Sequence, residues 1–307
     1  MPLAPRLRVA ALVAAAALLA AVPAAAVAQP TSPDTPTTSR PFVVTVEGAG
    51  RPMLLIPGLT SGAGVWRGTV DHFKGRYRTH AFTLAGFAGV PMVMDSNFLP
   101  TVREALVAYI REQRLERPVL VGHSLGGFLA LDVAARYPDL VGAVVNVDGL
   151  PYLPAAQMPN ATPEMVRPQA TMMRQAMRSA PASGGPNPMY EMSLRSMIRD
   201  TARIPEERAR GARSDGRVVA TAMYELMTSD LRPAMAAVKA PVLNLHVWDA
   251  YAGYGATRAS TERLLADQYA ALRTGTTRIN DSAYHFIMLD DPAWLYAEMD
   301  RFLAGVR

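Results

Sequence analysis

Residues 119–127, Val-Leu-Val-Gly-His-Ser-Leu-Gly-Gly, constrain this chain more than any other stretch. An apolar run stops at Gly122, one serine sits between two glycines, and an apolar-periodic segment with Phe128, Leu129, Leu131 and Val133 follows. This pattern reads as a strand, a sharp turn and a helix. A serine in such a turn must take strained dihedrals. Two residues before it and two after it, strand and helix backbones nearly touch, so only a residue without a Cβ fits there. Gly122 and Gly126 occupy those two places.

The surrounding composition narrows the alternatives. Of the 307 residues, 50% are apolar and 19% charged, enough for a sizeable globular core and too apolar for a disordered chain. Arg6 and Arg8, the apolar run Val9 to Val22 and the small residues Ala26-Val27-Ala28 have the order of a secretory signal, so residues 1–28 are expected to be cleaved after Ala28. The competing reading is an uncleaved anchor, but the run is short for a span and is interrupted at Pro23. The mature chain offers no other membrane span. Without Arg6 and Arg8 the formal charge falls from +5 to about +3, which gives no nucleic-acid signature.

Cysteine is absent, so neither a disulfide framework nor a thiol nucleophile is available. The histidines, at positions 72, 80, 123, 246 and 285, show no i, i+4 pairing, and neither a metal nor a cofactor is expected. A dinucleotide site at Gly122–Gly127 is disfavoured, because Ser124 stands where close approach to a pyrophosphate needs glycine.

Residues 29–41, rich in Pro, Ser and Thr, read as a linker. Strands are then predicted at Phe42–Val46 and Met53–Ile56. A flexible loop from Pro57 leads to a helix with Trp66, Val70 and Phe73 on one face. A strand at Tyr77–Leu84, a helix at Leu99–Gln113, the strand–turn–helix around Ser124 and a doubly buried strand at Val141–Val147 come next. This alternation implies a mostly parallel central sheet flanked by helices. Residues 151–239 break it: they are helical in flavour, carry many methionines, and read as an inserted helical cap. Regular alternation returns with a strand at Val242–Val247, a helix at Thr257–Leu272, a strand at Thr276–Ile279 and a last helix capped by Asp291 with Pro292 in its first turn. The core therefore comprises residues 42–150 and 240–307.

Three segments, Leu54-Leu55-Ile56-Pro57-Gly58-Leu59, Gly122–Gly127 and Tyr284-His285-Phe286 with Asp290-Asp291-Pro292, together resemble the α/β-hydrolase fold superfamily, in particular its capped, esterase-like members. The resemblance spans about residues 42–305. It implies that Ser124 is a nucleophile on an elbow, with His285 as its base in the chain order Ser, acid, His. A serine hydroxyl needs such a base, and the base needs a third group to fix its tautomer.

For that acid, Asp249 after the strand Val242–Val247 is the first choice, although the family position falls one residue later, at Ala250. Asp148, ending Val141–Val147, is the alternative. Backbone N–H groups of Leu59 and Leu125 are the expected oxyanion donors. Trp248 and Tyr251 are candidates for the substrate wall. His123 is expected to pack beside the site, His246 to be a satisfied core residue, and His72 and His80 to be structural. The resulting expectation is an exported serine hydrolase acting on a small or apolar carboxylic ester, with lactonase, thioesterase, amidase and carbon–carbon hydrolase chemistry, or a non-catalytic ligand-binding role, as alternatives. Dehalogenase and epoxide hydrolase relatives carry a carboxylate where this chain has Ser124.

Overall fold

The structure is a computed structural model that describes residues 40–94, 96–179 and 188–306. Residues 1–28, expected as a signal, and most of the expected linker lie outside the described residues. Seven strands form one sheet: β1 (Phe42–Glu47), β2 (Arg51–Ile56), β3 (Tyr77–Leu84), β4 (Val119–His123), β5 (Ala143–Val147), β6 (Val242–Val247) and β7 (Gly275–Asn280). Their order is β1-β3-β2-β4-β5-β6-β7; β1 runs antiparallel to β3 and every other pairing is parallel. The strand bearing the glycine-flanked serine is therefore central, where both faces must be covered.

Alternation along the strands divides the core in two. Leu54, Ile56, Leu120 and Val144 meet helices α2 (Phe98–Glu112) and α3 (Leu125–Arg136) on one face. On the other, Met53, Leu55, Val121, Val145 and Leu245 meet α1 (Arg67–Phe73) and the C-terminal helix Pro292–Ala304. The last of these begins as its sequence predicts: the Asp291 side chain accepts from the Trp294 N–H and Pro292 sits in the first turn.

Small boundary shifts have local causes. The fifth strand starts at Ala143 rather than Val141, with the Gly142 N–H still donating to the Pro118 carbonyl at 2.9 Å just before it. The helix expected over Thr257–Leu272 stops at Gln268, and Thr257 becomes its N-cap in a capping box with Ser260.

Between β5 and β6 the chain is helical: α4 (Pro163–Ser179), α5 (Pro188–Met197), α6 (Ile204–Gly211) and α7 (Gly216–Thr228). These helices mostly extend the two existing cores, while Val166 of α4 joins a small separate cluster with Tyr152, Ala155 and Ala161. Met173 and Met177 of α4 and Met223, Leu226 and Met227 of α7 join the α2/α3 face. Tyr190 and Leu194 of α5 and Ile204 of α6 join the opposite one. Packing thus accounts for many cap methionines, while Met165, Met172 and Met192 are exposed. Helix α8 (Arg258–Gln268) follows β6, and we number Pro292–Ala304 α9. Among the described residues no helix is long and apolar enough to cross a membrane.

Candidate active site

Ser124 joins β4 to α3 with φ +53° and ψ −115°, a region that residues other than glycine rarely enter. The conformation is held from both sides. The Ser124 N–H donates to the Val147 carbonyl at 2.9 Å, and its own carbonyl accepts from the Phe128 N–H at 3.0 Å. A Cβ on Gly122 would collide with the Gly126 carbonyl, and one on Gly126 with the carbonyl of Ile56. The two glycines are required because strand, turn and neighbouring strand are in backbone contact.

Ser124 shares a cavity of about 790 Å³ with His285 and Asp148. The His285 Nδ1–H donates to Asp148 Oδ2 at 2.6 Å, which leaves Nε2 as the free base nitrogen of that ring. Asp148 is buried, and its backbone also has positive φ, +51°. Burial alone would push its carboxyl pKa up; hydrogen bonds from His246 and His285, and the charge those rings can carry, more than offset this and hold it well below the usual carboxylate range. A third donor, the Tyr251 hydroxyl, reaches the same oxygen as His285 at 3.0 Å.

Of the two candidate acids, the structure brings Asp148 to His285 and not Asp249, the first choice. Asp249 opens the helical turn that follows β6 and points outward, where it pairs with Arg199 of the segment joining α5 to α6. Asp148 ends the strand next to the one bearing Ser124, directly after the residue that anchors the Ser124 N–H. Where this fold usually places an acid, at the end of β6, this chain supplies donors to a carboxylate from β5.

The expected substrate wall also divides. Tyr251 lines the cavity, but its hydroxyl is engaged with Asp148 and lies 3.3 Å from His285 Nδ1. The Trp248 indole N–H instead donates to Asp281 at 2.8 Å, outside the cavity lining. Apolar side chains from α3, the cap and α8, among them Phe128, Leu153, Leu226 and Leu265, form most of the wall.

Leu59 lines a second, small cavity of about 30 Å³ together with Ser124, His123 and His285. Gly58 brings this loop close: a Cβ there would press on the His123 ring and on Ser124 Cβ. Leu125 is the first residue of α3, so its N–H is one of those a helix leaves without an internal partner. His123 is buried and neutral, since burial first, and the His285 charge second, push its pKa well down. Its Nε2–H donates to the His285 carbonyl at 3.0 Å, which places the backbone of the base.

His246 is the satisfied core residue the sequence suggested, but sequence reasoning missed its contact with Asp148. It is buried in β6, with Nδ1 3.2 Å from Asp148 Oδ1. A signal for it existed: Asn146 and Asp148 are two apart at the end of β5, Asn244 and His246 are two apart in β6, and Asn146 is in register with Asn244. Four polar residues on one face of two otherwise apolar strands mark a buried polar layer. Among the described residues no cluster of His, Asp or Glu is arranged to hold a metal.

Comparison with known proteins agrees with this geometry. The profile of the Alpha/beta hydrolase family matches residues 53–298. A pimeloyl-(acyl-carrier protein) methyl ester esterase of Aliivibrio fischeri is 23% identical over 208 residues, covering 65% of this chain and 76% of that enzyme. A (lyso)-N-acylphosphatidylethanolamine lipase of Bos taurus is 32% identical over 110 residues, 34% of this chain and 32% of that lipase. Among solved structures, a thermophilic esterase from Thermogutta terrifontis superposes with a TM-score of 0.70 at 18% identity, over 86% of this chain and 93% of that one. The enol-lactonase from Burkholderia xenovorans LB400 gives 0.66 at 16% identity, over 86% and 96%. With the family profile matched over most of its length and the elbow, sheet order and inserted helices in place, this chain belongs to the alpha/beta hydrolase family.

Proposed function

We propose that the protein is a serine hydrolase that cleaves carboxylic esters with an apolar acyl or alcohol group through an acyl-enzyme intermediate. The observation that carries this reading is the Ser124 elbow opening into the same cavity as the His285–Asp148 pair. Ser124 Oγ attacks the ester carbonyl carbon and its proton passes to His285 Nε2. The ionised Asp148 holds His285 in the Nδ1–H tautomer and stabilises the imidazolium. Negative charge on the carbonyl oxygen is met by the N–H groups of Leu59 and Leu125, worth about 10²–10³ in turnover for each such donor. Collapse expels the alcohol with the proton from His285, and water releases the acid by the reverse sequence.

The apolar lining and size of the cavity favour an uncharged, medium-sized group beside the ester, a volume within the roughly 300–1,000 Å³ range of small-molecule sites. Relatives named as esterases, a lipase and a lactonase all point to attack on an acyl carbon.

A fluorophosphonate probe tests this directly. Peptide mapping is expected to find the label on Ser124, and Ser124→Ala is expected to abolish both labelling and p-nitrophenyl ester turnover. A folded wild-type protein that is neither labelled nor active would sink the reading.

The enzyme is also proposed to work outside the cytoplasm, on the strength of the basic, apolar and small-residue order of residues 1–28. N-terminal sequencing of protein recovered from the periplasm or medium is expected to begin at Gln29. Full-length chain retained in the cytoplasm would refute export.

A further inference from the structure

Asp148 is held at both carboxylate oxygens. Oδ2 accepts from His285 Nδ1 at 2.6 Å and from the Tyr251 hydroxyl at 3.0 Å, while Oδ1 faces His246 Nδ1 at 3.2 Å and the Val247 N–H at 3.3 Å. An ionised carboxylate only accepts, so a ring nitrogen bonded to it must carry a proton. His246 is therefore protonated on Nδ1, and its remaining freedom is at Nε2.

The Nε2 side has a partner of its own. Tyr269, just past the end of α8, places its hydroxyl 2.9 Å from His246 Nε2, 2.8 Å from the Gly149 carbonyl and 2.7 Å from Asn146 Nδ2. The hydroxyl has one proton to give. Asn146 Nδ2 donates one hydrogen to the Tyr269 hydroxyl at 2.7 Å and the other to the Gly149 carbonyl at 2.8 Å, with Asn244 Oδ1 further away at 3.1 Å. With the Gly149 carbonyl met by Asn146, the Tyr269 proton goes to His246 Nε2, and Asp148, His246, Tyr269 and Gly149 all have partners with His246 neutral. The other distribution sends the Tyr269 proton to Gly149 and requires a second proton on His246. That would place a cation on Asp148 and weaken its hold on the imidazolium formed at His285.

We infer that His246 is a positioning residue for the Ser124–His285–Asp148 site: a neutral imidazole, fixed by Tyr269 as the Nδ1–H tautomer, that clamps Asp148 Oδ1 so that Oδ2 faces His285. The clamp is needed because Asp148 sits in left-handed backbone, a conformation that persists only where its surroundings enforce it. It also explains how the acid can come from β5: strand β6 and the turn after it, where the acid usually follows, furnish His246, Val247 and Tyr251 as donors instead. The inference rests on the proposed serine hydrolase activity for its kinetic consequence, but its tautomer is independent of turnover.

Two measurements test it. In protein with ¹⁵N-labelled histidine at pH 8, His246 is expected to give the nitrogen shifts of a neutral Nδ1–H ring. An Nε2–H ring or an imidazolium at that pH would overturn the inference whether or not the protein is active. Kinetically, His246→Leu is expected to lower kcat about 10- to 100-fold, the usual worth of a residue that orients a reacting group, with KM within about threefold. His246→Asn, which returns an amide N–H near the Nδ1 position, is expected to recover most of that loss. A folded His246→Leu with wild-type kcat, or a folded Asn variant as impaired as Leu, would overturn it. A wild-type enzyme without ester turnover would instead count against the proposed function and leave the ¹⁵N result to decide on His246.

Discussion

A single carboxylate carries most of the new information at the residue scale. Asp148 and Asp249 each follow a sheet strand, and both are near enough to the end of the sheet for either to serve the base. What separates them is their partners. Asp148 is buried and gathers donors from His285, His246, Tyr251 and Val247. Asp249 is partly exposed and paired with Arg199, an interaction of a kind worth about 0–1 kcal/mol. Steady-state kinetics on folded variants should therefore diverge sharply. Asp148→Asn is expected to lose about 10⁴ in kcat, as when a triad carboxylate no longer sets the histidine tautomer, whereas Asp249→Asn should stay within about threefold of wild type. A large loss in Asp249→Asn with a small one in Asp148→Asn would reverse the assignment.

The elements were far more legible than the side chains that join them. Each strand and most helices announced themselves through period-2 or period-3.6 patterns, and the elbow through Gly122 and Gly126, because those signals are local in sequence. The mostly parallel sheet followed from the alternation of strand and helix. The acid did not, since it depends on which of two loops bends inward. After β6 the chain enters a helical turn at once, which swings Asp249 toward Arg199 of the cap, a partner 50 residues away in sequence. The role of His246 was hidden for a related reason. A histidine in an apolar strand looks like a core residue until Asn146, Asn244 and Tyr269, drawn from three different elements, are seen to share its layer. Trp248 and Tyr251, three residues apart, diverge the same way: one faces Asp281 on the outside and the other the cavity.

For the molecule as a whole, burying titratable groups on both sides of the site sets opposing demands on pH. His80 is buried, with Nδ1 2.7 Å from the Tyr109 hydroxyl, and burial, with Arg78 adding to it, pushes its pKa down to about 4. The folded protein keeps this ring neutral while the unfolded chain protonates it below about pH 6.5. Its contribution to stability is therefore full above about pH 6.5 and is lost as the pH falls toward 4. His123, also lowered by burial, acts in the same direction.

Glu207 of α6 does the reverse. It is buried next to Arg210, and burial raises its pKa to about 7, so the folded state holds a proton that the unfolded chain releases above about pH 4.5. Stability is lost as the pH rises from about 4.5 to 7. Between pH 4.5 and 6.5 these two groups nearly cancel in the parent protein, each changing the unfolding free energy by about 1.4 kcal/mol per pH unit with opposite sign. Single substitutions should unmask them. Relative to the parent, His80→Gln is expected to gain about 2 kcal/mol as the pH is lowered from 6.5 to 4.5, and Glu207→Gln to lose about as much over the same interval. Urea unfolding at pH 4.5, 5.5 and 6.5 reads both differences, independently of any change in absolute stability that the substitutions cause. Curves for the His80 variant and the parent that run parallel across the window would show that His80 is not held neutral in the fold, and parallel curves for the Glu207 variant would show the same for its proton.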